Sequence, residues 1–540
     1  HGKGFRSEYA PEFFGPLYPL MQEIKAAFDP HNQLNPGKIA APPGHALTQL
    51  DAVPTRGQFD RQIPITVRQV NGDSLHCNGN AACFNFDPDD AMCPSWKATR
   101  DRRHSPKGRA SLMREWLRLM ALQGGDPQTI PRHRWLDLPR RALHSWRSRT
   151  GDVGDFSHEV KSAMDSCLSC KSCVGQCPIK VDVPAFRARF LQAYYTRYLR
   201  PLRDSVVARL ETWLPLLART PRLMNAITHS LLGKSLMQSM GLVELPVLDI
   251  LDLRAELKRR SVALATPETL GALSPDEKRR SVVVVQDAFT THYDAAIVAD
   301  LCELLQRLGF RPWISPYLPN GKPQHVLGLL DDFKKTAKRH AEMLRELADT
   351  GVELMGVDPS MTLAYRAEYV KALGNTAVPP VALPQEWLAK RLEEMPQRPT
   401  RDGARWFLLP HCTERTNAPA SMSDWTRIFN RLGIPLEITA SGCCGMAGLY
   451  GHERDQRETS KTIYGMSWRP ILADQARASH TLATGYSCRC QVKLIDGIHL
   501  KHPVQMLLAT VDDDRTHYRK LLLMFALKVR SWSTPPVQPI

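Results

Sequence analysis

Cys167-Leu168-Ser169-Cys170-Lys171-Ser172-Cys173-Val174-Gly175-Gln176-Cys177-Pro178 is the stretch on which the reading of this chain turns. Two residues separate each of the first three cysteines, three precede the fourth, and proline follows at once. That is a spacing by which thiolates hold iron–sulfur clusters. Three thiolates on so short a loop can wrap one four-iron, four-sulfur cubane (4Fe-4S). The fourth, released by Pro178 from any following helical turn, reaches toward a second cluster. A disulfide staple is the poorer reading, because a chain of 540 residues has core enough without one. The stretch predicts electron transfer.

A second set lies upstream: Cys77, Cys83 and Cys93, the last again followed by proline. Laid on the first run, Cys77 takes the first place, Cys83 the third and Cys93 the fourth, while Asn80 stands at the second. If the fourth cysteines exchange, Cys93, Cys167, Cys170 and Cys173 form one complete thiolate set. The remainder, Cys77, Cys83 and Cys177, is one ligand short. It is compatible with a three-iron cluster, with a cubane completed by another ligand, or with no cluster.

With 43% hydrophobic and 23% charged residues the chain reads as globular, with room for roughly three or four domains. Thirteen cysteines, most in metal-like spacings, argue for a reducing, cytoplasmic compartment. No apolar run of about eighteen residues occurs, so no segment is expected to span a membrane. The formal charge of +16 suits nucleic acid, an anionic membrane surface or an acidic electron carrier. No nucleic-acid module accompanies it and the arginines are dispersed along helices, so a solvated basic face is the simplest reading. Because the chain begins at His1, N-terminal targeting cannot be read from it.

The expected parts are 1–60, a helical cysteine-bearing region 61–200, a helical link 201–274, an α/β region 275–515 and a tail 516–540. In the first, a helix is predicted around Leu17 to Phe28. In the second, Ser105-Pro106 reads as an N-cap followed by proline at the first helical position. Residues 185–265 look helical throughout; Trp213 and the arginines there allow a helix lying on a membrane surface, although packing against neighbouring helices is the simpler account. From about 275 strands and helices alternate, with strands at Val282–Val285, Arg311–Ile314, Val352–Val357 and Arg405–Leu409. Such alternation implies parallel βαβ units.

The α/β region repeats itself. Leu304-Leu305-Gln306-Arg307-Leu308-Gly309-Phe310 aligns with Ile428-Phe429-Asn430-Arg431-Leu432-Gly433-Ile434, an offset of 124 (304 to 428). The same offset sets Ala288 against Cys412 and Pro319-Asn320-Gly321 against Cys443-Cys444-Gly445. A three-residue loop change then puts Ser360-Met361 on Ser487-Cys488. Cys412, Cys443, Cys444 and Cys488 should therefore gather at strand ends of the second half, where α/β folds place sites. Four thiolates at one locus suggest a soft metal or a cluster; cysteines that merely pack are the alternative. Cys302 reads as core and Cys490 as a spare.

Several of these features resemble known families. The four-cysteine run resembles bacterial ferredoxins. The Cys-Cys-Gly element with flanking cysteines resembles the cysteine-rich domain of heterodisulfide reductases and of glycolate oxidase iron–sulfur subunits. Here the first repeat lacks cysteines and the last element reads Cys488-Arg489-Cys490. His1-Gly2-Lys3-Gly4 and Asp29-Pro30 through Asn35-Pro36-Gly37-Lys38 resemble the closing motifs of FAD-linked oxidases of the vanillyl-alcohol oxidase type. The order oxidase, ferredoxin, cysteine-rich domain resembles the C-terminal half of the large fused bacterial D-2-hydroxyglutarate dehydrogenases.

That resemblance implies an α+β multidomain chain: the tail of a flavin-oxidase domain, an all-α iron–sulfur domain and a two-repeat α/β domain. It implies hydride transfer from C2 of a D-2-hydroxy acid to FAD. His1 is the implied catalytic residue, beside a divalent metal at the substrate site, and Asn35 the implied cofactor contact; Lys38 reads as structural. Most of the FAD site would lie upstream of His1, leaving this chain an incomplete enzyme. Electrons would leave singly through the clusters to a quinone, a cytochrome or a flavoprotein. A homo-oligomer, peripheral contact with the inner membrane and no nucleic-acid partner are expected. The rival readings are an iron–sulfur electron-transfer subunit of the glycolate or glycerol-3-phosphate oxidase type, a heterodisulfide-reductase-like enzyme acting on a thiol at Cys443-Cys444, and a protein with structural zinc.

Overall fold

The computed structural model describes residues 2–49, 57–125, 137–149, 155–400 and 405–511. His1 and the 516–540 tail lie outside the described residues. The chain divides into two compact units, His1–Val67 with Arg118–Gly125, and Arg68–Leu117 with Asp126–Ile540.

In the smaller unit the apolar spacing around Leu17–Phe28 becomes helix Tyr18–Phe28, with proline in its first turn. Leu20, Ile24 and Phe28 line one exposed stripe of that helix. Asp29 ends it by gathering three donors: the Lys25 ammonium at 2.5 Å and the Gln33 and Leu34 amides at 2.8 Å. The following turn carries Asn32 and Asn35 in the left-handed region, which asparagine tolerates better than most residues.

In the larger unit the described cysteine-bearing region is helical. Ser105 caps helix Pro106–Leu122, its Oγ accepting the Gly108 amide at 3.0 Å. The stretch expected to be helical throughout is instead five helices: Val183–Arg197, Leu202–Leu217, Pro221–His229, Leu231–Ser239 and Leu253–Arg259. Residues 240–252 are not helical. Gly241 there takes φ 77°, a helix-stopping conformation.

Among the described residues eight strands follow: β1 Ala263–Leu264, β2 Ser281–Val285, β3 Arg311–Ile314, β4 Glu353–Gly356, β5 Val381–Ala382, β6 Trp406–Leu409, β7 Leu436–Ile438 and β8 Thr481–Ala483. They form two sheets, ordered β1-β3-β2-β4-β5 and β7-β6-β8, and every pairing is parallel. The valine run of β2 is wholly buried, as a parallel strand covered on both faces requires. Val283 lies opposite Trp313 and Leu354; Phe407 lies opposite Glu437 and Thr481. These pairings repeat with offsets of 124 (283 to 407) and 127 (354 to 481). One apolar core joins both halves, with Val282, Leu301 and Leu304 packed in the same cluster as Leu408, Phe429 and Leu482. Each such side chain contributes about 1.5–3 kcal/mol by leaving water. Cys302 is fully buried in this core.

Candidate functional site

Cys93 is the N-cap of helix Pro94–Thr99 and takes φ 43°, with proline at the first helical position. On the other wall, Ser169 and Lys171 are also left-handed and coil the loop around its cysteines. The coil aims the Ser169 amide at Cys167 Sγ, 3.4 Å away. Lys171 is buried between the motif cysteines and pairs with Glu368 at 3.1 Å, which also receives Lys322 at 3.2 Å. Cys93 lies near enough to Cys167 and Cys170, and Cys173 near enough to the same two, for charge on one thiol to act on the others. The turn at Pro94 thus sets Cys93 Sγ 3.7 Å from the Arg109 guanidinium, which also holds Ser166, the residue before Cys167, at 2.8 Å.

Burial pushes the Cys93 thiol up to about 11, with the Arg109 guanidinium working against it. Burial, with the Asp182 carboxylate beside it, pushes Cys173 well up. Such thiols stay protonated until a positive centre takes them, and the irons of a cluster are such a centre. The donor set, with Cys93 and Cys173 buried and Cys167 and Cys170 partly so, therefore fits a thiolate-held cluster in number and in the amide that points at the Cys167 sulfur.

Cys77 and Cys177 act on Cys83, whose thiol burial also raises, so the three cysteines of the incomplete set meet as well. Asn80 is exposed, and its Nδ2 bonds to Asn78 Oδ1 at 3.0 Å.

At the ends of β6 and β8 lies a further row of thiols. Cys412 opens helix Cys412–Asn417, Cys443-Cys444 precede a left-handed Gly445, and Cys488 lies in helix Tyr486–Asp496. Along the row Cys170, Cys412, Cys443, Cys444 and Cys488, each thiol lies near enough to the next to influence its ionisation. The Gly445 amide donates to Cys443 Sγ at 3.3 Å. A side chain at Gly445 would meet Ser460 O at 2.4 Å, and one at Gly485 would meet His411 at 2.3 Å. Cys490 is only partly buried and bonds toward Tyr486, outside this row. All thirteen cysteines are free thiols. Among the described residues no three His, Cys, Asp or Glu side chains close around a single metal ion.

Some contacts that build the site carry no signal in spacing. The Thr413 hydroxyl donates to Cys170 O at 3.1 Å. Gly175 passes so close to helix Cys412–Asn417 that a Cβ there would sit 2.0 Å from Thr416 O. The Asp89 carboxylate accepts the Ser467 hydroxyl at 2.6 Å, and Ser467 Oγ accepts the Gly442 amide at 2.9 Å. Only the glycine at 175, in a run otherwise read for its cysteines, hinted at a close approach. In the smaller unit Asn35 is exposed and its carbonyl accepts the Lys38 amide at 3.2 Å. Lys38 Nζ reaches Thr48 Oγ1 at 3.3 Å.

Comparison with known proteins adds the following findings. The family model for FAD linked oxidases, C-terminal domain, matches residues 1–39. D-2-hydroxyglutarate dehydrogenase of Pseudomonas putida is 51% identical over 514 residues, which are 94% of this chain and 50% of that protein. The Escherichia coli protein of the same name is 49% identical, over 95% of this chain and 51% of its own length. One subunit of the anaerobic glycerol-3-phosphate dehydrogenase of Escherichia coli is 25% identical over 197 residues, 35% of this chain and 48% of that polypeptide. No solved structure matches. The chain spans about half the length of the D-2-hydroxyglutarate dehydrogenases to which nearly all of it is similar.

Proposed function

We propose that this chain takes part in oxidising a D-2-hydroxy acid, D-2-hydroxyglutarate first, to the 2-oxo acid, and passes the electrons through a 4Fe-4S cluster on Cys93, Cys167, Cys170 and Cys173. The observation that carries the reading is the approach of Cys93 to the three-cysteine loop. The substrate comes from the relatives' name and the flavin from the match at residues 1–39. FAD, when bound, accepts the hydride from C2 of the hydroxy acid. His1 takes the hydroxyl proton, near a divalent metal, and Asn35 meets the cofactor from the turn that Asp29 organises. A cluster, when bound, carries single electrons onward.

Cys77, Cys83 and Cys177 form a second candidate cluster site, and Cys412, Cys443, Cys444 and Cys488 a third. In this reading residues 1–60 complete a flavin domain, 61–200 hold the clusters, 201–274 connect, and 275–515 form the two-repeat domain. The acceptor is a quinone, a cytochrome or a flavoprotein, and the protein works as a cytoplasmic homo-oligomer with peripheral contact at the inner membrane. Among the described residues no helix is long and apolar enough to cross a membrane. Similarity to part of a glycerol-3-phosphate dehydrogenase favours, as second reading, an electron-transfer component with no substrate site of its own.

Rapid mixing separates the two. In the flavin-loaded enzyme, D-2-hydroxyglutarate added without oxygen should bleach the broad visible absorption of the cluster together with the flavin bands, and the L enantiomer should bleach neither. Flavin bleaching beside an unchanged cluster spectrum would contradict the proposed route.

A further inference from the structure

Arg109 lies in helix Pro106–Leu122 and is only 1% exposed. Its guanidinium donates to Ala163 O at 2.8 Å, Ser166 Oγ at 2.8 Å, Ser95 Oγ at 3.0 Å, His104 O, and Cys93 Sγ at 3.7 Å. Every oxygen among these partners is neutral. Among the described residues no carboxylate pairs with it. A guanidinium keeps its charge in any protein, and burying it without a counter-ion is strongly unfavourable. Lys171, on the other side of the same cysteines, shows the ordinary solution: it is also buried and meets Glu368 at 3.1 Å. For Arg109 the one partner able to carry negative charge is the sulfur of Cys93.

We propose that Arg109 is the fixed counter-charge of the Cys93 sulfur and sets the reduction potential of the cluster held there. The inference rests on the cluster reading above. A cubane with four thiolates carries net negative charge, and one more electron adds to it. A cation fixed beside one ligand therefore stabilises the reduced form more than the oxidised form. The step is one electron entering from the flavin side of the enzyme, with no bond made or broken and no proton moved. Four neutral oxygens pin the fork in place, so the charge need not reorganise when the electron arrives. Arg109 is thus a positioning residue that makes the cluster easier to reduce. Lysine could supply the charge but not the planar fork.

The test compares wild type with Arg109→Gln and Arg109→Lys, each purified anaerobically, by iron and sulfide content, electron paramagnetic resonance of the reduced cluster, and redox titration. With iron content unchanged, Arg109→Gln should make the cluster at least tenfold harder to reduce, a potential lower by about 59 mV for one electron, and Arg109→Lys should recover most of that. An unchanged potential in an iron-replete Arg109→Gln overturns the proposal. Should Arg109→Gln lose its iron, Arg109→Lys decides: iron retained at near wild-type potential supports the charge role. Iron lost there too makes Arg109 a scaffold residue and overturns the proposal. Wild-type protein without iron would fail the cluster reading itself, which is a different result from an iron-replete variant of unmoved potential.

Discussion

The two halves of the parallel α/β region share the order and register of three strands, β3-β2-β4 and β7-β6-β8, but not the chemistry at their strand ends. Where the second half has Cys412, Cys444 and Cys488, the first has Ala288, Asn320 and Met361, all buried. Gly321 and Gly445 take the same left-handed turn at φ 79° and 87°. Asp287 and His411, also 124 apart (287 to 411), both cap the helix that follows; Asp287 accepts the Phe289 amide at 2.8 Å and His411 the Thr413 amide at 3.3 Å. Their outer partners differ. Helix Cys412–Asn417 receives the cysteine loop at Gly175, whereas the matching helix Ala288–His292 packs its Ala288 against Leu214 and Leu248. The backbone frame is set by apolar strands and caps, so residues at the strand ends are free to diverge: one half became a thiol row and the other a packing surface.

The harshest way to break this comparison is at the docking faces. Gly175→Ala would force a Cβ against Thr416 O, with backbone on both sides and nothing flexible to give. Thermal unfolding should show a cost of about 3 kcal/mol, and iron content should fall with it. The matching cut on the first half, Leu214→Ala, should cost a similar ~2–4 kcal/mol while leaving iron unchanged. Equal iron loss in both would mean that the halves are not chemically distinct.

A smaller effect sharpens the contrast at the caps. Burial, and then the Asp358 carboxylate, lift Asp287 from 3.8 to about 7. An acid whose folded-state pKa is raised holds its proton more tightly when folded, so stability is greatest below about 4 and falls as pH rises toward 7. Asparagine keeps the cap without the charge. Asp287→Asn should therefore match wild type near pH 4 and be more stable at pH 8, by about 2 kcal/mol, roughly half of the most that such a rise allows. A stability difference independent of pH would remove Asp287 as the source.

Much of the α/β frame was legible because the valine run of β2 and the repeated Arg-Leu-Gly helix ends report local periodicity. β1, β5, β7 and β8 were not, since strands of two or three residues leave too little period to read. The helical reading of 185–265 fails over 240–252, where apolar residues continue beyond Gly241 but the helix does not. Thiol grouping was legible from cysteine spacing and from the repeat offset. Arg109 was not, because one arginine among many dispersed ones becomes distinctive only when the fold buries it without a carboxylate. The closing turn at Asn35 was legible by likeness alone; the three donors on Asp29 that shape it are tertiary detail.

The central claim is that Cys93 completes the cluster of the Cys167–Cys170–Cys173 loop, and cysteine replacement with iron counting and electron paramagnetic resonance tests it most directly. Cys93→Ala and Cys170→Ala, purified anaerobically, should lose or distort the same reduced-cluster signal and the same share of iron. Cys302→Ala, in the apolar core of the α/β region, should keep both. A Cys93→Ala protein with the wild-type signal and full iron would contradict the account.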